Sequence, residues 1–245
     1  MKIKFFLLFV FFSLFTILCI SKPIEFSEKI DESTLDKFQS IESELINLFG
    51  NEYQYYLTSD GTRSFSSLDV NGNYSINLVD EDESIFRHEL FHIYFFNYLK
   101  GKKIELDSLP TWFHELTAVW FQKLHDLEES YPDLRDYYYD FFKYKNNYPP
   151  LIEDGLFYRS LYNFSFFLSK KISLKDFLTI TTDSFARDDS IYTAFYTTFN
   201  DRFIIFKWNI YRFTRSIFFW IFVIIIVVLI FWRILISANY KSRKK

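Results

Sequence analysis

The chain reads as an α+β fold, mainly helical, with a small sheet near its front and one membrane-crossing helix near its back. Three observations predict this. Apolar residues recur at helical spacing through most of the chain beyond Ser84, and two short β-favouring runs, Tyr53–Thr58 and Tyr74–Leu78, lie among turn residues ahead of it. Residues 216–236 form an almost unbroken apolar run with a single charge, Arg233.

Lys2 and Lys4 precede an apolar stretch from Phe5 to Ile20, the layout of a secretory signal peptide, and the small residues Cys19 and Ser21 suit cleavage after residue 21. Acylation at Cys19, or retention of the segment as a second anchor, are the alternatives. The one cysteine then leaves with the signal, so the mature chain holds no internal disulfide.

From Asp31 to Phe49, the spacing of Leu35, Phe38, Ile41, Leu45 and Leu48 predicts an amphipathic helix, stopped by Gly50. Tyr53–Thr58 is a strand, Ser59-Asp60-Gly61 and Asn71-Gly72-Asn73 are turns, and Tyr74–Leu78 alternates as a half-buried strand does. Two or three short strands thus precede the next helix. That helix starts within Asp80-Glu81-Asp82-Glu83-Ser84, where acidic side chains suit the positive end of the helix dipole, and runs to Tyr98 or Leu99 before Gly101 ends it. It is apolar almost all round and should be central. Arg87, His88, Glu89 and His92 interrupt it and exclude a membrane span.

Pro110 in a first turn opens a further helix, Thr111 to Leu127, expected as an antiparallel neighbour of the previous one because the connection is short. Beyond Pro149-Pro150 helices are expected near 158–170, 173–184, 190–199 and 201–213, with Ser173 and Asp176 spaced as a capping box. As a helix, the 21 positions 216–236 span roughly 31 Å, the thickness of a bilayer's hydrocarbon layer. Trp220 and Trp232 stand near its ends, and the tail Lys241-Ser242-Arg243-Lys244-Lys245 favours a cytoplasmic C-terminus. The organisation is a signal peptide at 1–21, one extracytoplasmic domain at 22–213, a transmembrane helix at 214–237 and a basic cytoplasmic tail at 238–245.

The net charge is only −3 and the expected ectodomain carries no basic stripe, so nucleic acid is not an expected partner. The 33 phenylalanines and 18 tyrosines read as compositional bias rather than a functional aromatic surface. Oligomeric state is not legible.

Chemistry concentrates in two segments. His88-Glu89-Leu90-Phe91-His92 is H-E-x-x-H; one helical turn separates the histidines, so both imidazoles reach one face and can bind one metal ion. With no thiolate in the mature chain, Zn2+ bound by His/His/carboxylate is the expected cofactor, Glu115 being the third ligand and Glu105, Asp107 and Glu128 its competitors. Glu89 cannot easily reach the metal beside its neighbour His88 and faces the open position, where a general base for water is needed. His114 and His125 read as non-ligands.

H-E-L-F-H followed by Pro110-Thr111-Trp112-Phe113-His114-Glu115-Leu116-Thr117-Ala118 resembles the gluzincin metallopeptidases, specifically the peptidase MA-like group, whose second motif is close to P-x-W-[LF]-x-E-G-x-A. Pro110, Trp112, Glu115 and Ala118 match, and Leu116 stands where glycine is usual. Val119 lies one turn past Glu115, where some relatives carry a polar residue.

The resemblance implies a zincin-like catalytic domain: a small N-terminal sheet, the H-E-x-x-H helix and a C-terminal helical subdomain. It likens Gly72–Leu78 to the edge strand ahead of the active helix, along which an extended peptide or protein substrate adds. It likens 158–168 to a tyrosine-led helix, so that Tyr158 donates a hydrogen bond to the oxyanion, with plain packing as the alternative. The expected function is a membrane-anchored zinc metallopeptidase with Glu89 as base; a catalytically inactive, anchored binding or scaffold protein is the alternative.

Overall fold

The computed structural model describes residues 32–58, 64–68, 73–79, 82–125, 139–185, 187, 191–201 and 203–242. The expected signal peptide, the turns at 59–61 and 71–72, helix-start residues 80–81, the candidate ligand Glu128 and tail residues 243–245 lie outside them. The chain divides into two units, one ending at Tyr98 and the other beginning at Leu99.

The first unit opens with helix α1, Glu32–Phe49. Its expected inner face is buried at Phe38, Ile41 and Leu45. Gly50 stops it at φ +82°, donating its N–H to the Ile46 carbonyl at 2.7 Å; a side chain there would be strained.

Three strands follow, β1 (Tyr55–Thr58), β2 (Phe65–Leu68) and β3 (Tyr74–Asn77), ordered β1-β3-β2. β3 runs parallel to β1, Tyr55 opposite Tyr74, and antiparallel to β2, Phe65 opposite Asn77. This corrects one expectation: the strand at 74–78 is the middle of the sheet, not its edge. Its backbone polar groups are shared between two neighbours, so no substrate strand can add there.

Helix α2 spans Glu83–Gly101. Asp82 caps it, its carboxylate accepting from the N–H groups of Ser84 and Ile85 at 2.7 and 3.2 Å. Phe86, Leu90, Phe91, Ile93, Tyr94 and Phe95 are fully buried, as the apolar circumference predicts. Gly101 is the last helical residue, and the left-handed position falls at Lys103, φ 60°. Three contacts hold α2 on α1. Phe86 stacks on Phe38 at 3.8 Å between ring centroids, the Arg87 guanidinium grips both Glu44 carboxylate oxygens at 3.2 and 2.5 Å, and the Tyr94 hydroxyl donates to Glu42 at 3.2 Å.

In the second unit, helix α3, Thr111–Gln122, buries every residue from Trp112 to Phe121 and is the unit's central element. It ends five residues before the expected Leu127, and Pro110 is its N-cap rather than part of its first turn. Helices α4 (Asp154–Ser169), α5 (Leu174–Phe185), α6 (Ile191–Phe199) and α7 (Ile204–Thr214) follow, close to expectation. The Ser173 hydroxyl accepts from the Asp176 N–H at 3.1 Å, the cap that the spacing predicts. Trp112 sits in a ring of Phe113, Phe141, Phe142, Phe185 and Phe195, so the core of this unit is largely aromatic.

The last helix, α8, spans Ile217–Ser242, with the Ser216 hydroxyl accepting from the Phe219 N–H at 3.0 Å at its start. Among the described residues no single helix is long and apolar enough to cross a membrane. Ile204–Thr214 and Phe219–Ile234 meet that requirement only as a pair, bent by 68°. Helix α8 takes in most of the apolar stretch expected at 214–237, and it leaves α7 at a sharp angle.

Candidate metal centre

α2 sets the first half of the site. His88 and His92 are one turn apart and both buried, and their Nε2 atoms face each other at 3.1 Å. The rings meet edge-on, 4.8 Å between centroids, and His92 also stacks on Phe96 at 5.6 Å. The spacing of the two nitrogens suits one metal ion: at metal–nitrogen distances of about 2.0–2.1 Å, such a pair subtends roughly 95–100°, near the angle of a tetrahedral site. The contacts of Phe86, Arg87 and Tyr94 with α1 fix the rotation of α2 on either side of this pair, so the imidazoles are held by a packed helix rather than a loop. Glu89 lies between them in sequence and is only partly buried.

α3 sets the second half. Glu115 is 2% exposed, and its Oε1 accepts a hydrogen bond from the Tyr148 hydroxyl at 2.9 Å. A buried carboxylate needs such partners to hold its charge and its orientation. Tyr148 reaches Glu115 because the start of α3 lacks a side-chain cap. Pro110 has none to offer, and the first amides turn to a distant segment: Thr111 N–H donates to the Lys145 carbonyl at 2.6 Å, and Trp112 N–H to the Tyr144 carbonyl at 3.1 Å. The Thr111 hydroxyl adds a bond to the same Lys145 carbonyl at 3.0 Å. The segment's base is closed by Glu153, whose Oε2 accepts from the Tyr144 hydroxyl at 2.5 Å and the Lys143 ammonium at 3.2 Å. The Tyr144 hydrogen bond, then that of Lys143, hold the Glu153 carboxyl below its ordinary pKa.

His88, His92 and Glu115 form a buried group that could hold a metal ion, one ligand atom from each lying within 4.8 Å of the others. Two imidazoles and a carboxylate are a donor set that suits zinc and other borderline divalent ions.

The other residues singled out in the sequence take the following places. His114 is buried, its ring Nε2 donating to the Leu109 carbonyl at 3.1 Å, and His125 is exposed. Glu105 and Asp107 are exposed at a 3-10 turn, Leu106–Ser108, and belong to no such group among the described residues. Tyr158 lies on α4, partly exposed, its ring 5.3 Å from that of Phe157. Sequence reasoning missed Tyr148. Its only local signal is the Pro149-Pro150 pair, which biases it towards extended backbone; the partner, 33 positions away, leaves no trace in local pattern.

No family model, curated protein or solved structure matches the chain.

Proposed function

We propose that the protein is a membrane-anchored zinc metallopeptidase acting on the extracytoplasmic side. The observation that carries this reading is the buried convergence of His88, His92 and Glu115, with Glu89 beside the histidine pair in sequence and outside the ligand set. The H-E-x-x-H and P-x-W-F-x-E segments, which resemble those of gluzincins, support it further.

His88, His92 and Glu115 would hold the zinc, which would supply Lewis acidity there. Glu89 accepts the proton of the attacking water as the peptide carbonyl carbon becomes tetrahedral, then delivers it to the leaving amine. Tyr158 donates a hydrogen bond to the developing oxyanion. Tyr148 orients Glu115. With β3 enclosed, an extended substrate pairs with an open sheet edge, and we assign β2, whose Phe65, Ser67 and Leu68 are exposed. The exposed apolar side chains of α8 and the basic residues at 241–245 support the anchor and its direction.

The test uses the full chain purified in detergent, its bound zinc measured alongside cleavage of a peptide library. Glu89→Gln is expected to keep the metal and lose about 10²–10⁴-fold in cleavage, the contribution of a general base. His88→Ala loses metal and cleavage together. A zinc-loaded wild type that cleaves nothing indicates the binding or scaffold protein instead, and a wild type without metal overturns the reading.

A further inference from the structure

Helix α7 carries two apolar stripes, and only one is used inside the protein. Ile204 and Trp208 are buried, Trp208 packing on Phe164 and Phe167 of α4 at 4.9 and 5.4 Å. A second row, Phe203 at the N-cap, Phe206, Ile210 and Phe213, is 63, 60, 45 and 49% exposed. At about 100° per residue these four fall within roughly 80° of the helix circumference, well away from Ile204 and Trp208. Lys207 and Asn209 border the row on either side, and α7 contains no acidic residue.

The row is continuous with α8. Phe213 meets Phe219 edge-on at 5.9 Å, and from Trp220 to Ile236 the described large apolar side chains of α8 are exposed, Val223 alone being half-buried. The two helices meet at 68°. With α8 along the bilayer normal, α7 lies roughly 20° from the membrane plane, close to the attitude of an interfacial helix.

We propose that α7 is a membrane-surface helix. Phe203, Phe206, Ile210 and Phe213 sit among the headgroups and upper acyl chains, while Ile204 and Trp208 keep the helix fastened to the second unit. The occupant of the stripe is a lipid bilayer rather than a protein groove, because the exposed row is joined, through the Phe213–Phe219 ring contact, to a helix that offers apolar side chains on all its described faces. This inference rests on the membrane-anchor reading of α8 but not on the metal chemistry.

The test is nitroxide accessibility of the full chain in phosphatidylcholine vesicles containing phosphatidylglycerol. Single cysteines replace Phe206, Phe213, Ile226 and Lys175 in turn, on a Cys19→Ser background. Ile226 reports the middle of α8, and the exposed Lys175 on α5 is the aqueous reference. Labels at 206 and 213 are expected to collide several-fold more with oxygen, relative to a nickel chelate, than the label at 175, at a depth of about 5–10 Å. Labels at 206 and 213 that behave like 175 while 226 is lipid-embedded overturn the surface helix and leave the anchor standing. An aqueous label at 226 removes the anchor, and the proposal with it.

Discussion

Tyr148 and Glu115 show how much one hydroxyl can decide. A ligating carboxylate on a helix has freedom about its terminal torsion, and the 2.9 Å bond from Tyr148 selects one orientation. Tyr148→Phe is therefore expected to weaken zinc binding by about 10–100-fold, read by competition with a chromophoric chelator. Unchanged zinc affinity would remove Tyr148 from the site. The same residue marks a limit of local reading. H-E-x-x-H is legible because its two histidines share one helix and one period, whereas the tyrosine arrives from a segment whose path is set by carbonyl acceptors for the amides of Thr111 and Trp112.

Among the elements of its unit, α3 is buried along nearly its whole length. Trp112 is buried among five phenylalanine rings, so Trp112→Ala is expected to cost about 3–5 kcal/mol, measurable by urea unfolding, because the cavity cannot be filled by neighbours that already pack one another. The segment closed by Glu153 adds a pH-dependent term. Its carboxyl is depressed in the folded protein, so its stabilisation is complete above its ordinary value of 4.5 and is lost as pH falls through the folded value. Glu153→Gln should flatten that acid limb in a series of melting curves taken from neutral pH downward; an unaltered limb would place its origin elsewhere. Strands are less legible in this sequence than helices. The short run Phe65-Ser66-Ser67-Leu68 lacks β-branched residues and clear alternation, so nothing local marks β2, and without it β3 reads as an edge.

At the scale of the whole molecule, a metal bound only by the folded chain stabilises it by mass action. Zinc at about 100 times its dissociation constant is expected to add about 2.7 kcal/mol to unfolding, and a chelator should reverse the gain. A melting temperature indifferent to both would argue against a structural hold on the ion. What the amino-acid order determined by itself was local: helix periods, the Gly50 stop, the acidic start of α2, the Ser173 cap, the facing pair His88 and His92, and the apolar run beyond Ser216. Each depends on residues within a turn or two of one another, where backbone geometry fixes the neighbours. Only the tertiary structure decided that β3 is enclosed, that Tyr148 serves Glu115, and that α7 turns sharply from α8 with an apolar row left uncovered. Those outcomes depend on which distant groups satisfy exposed backbone and buried charge, and local pattern does not encode the partner.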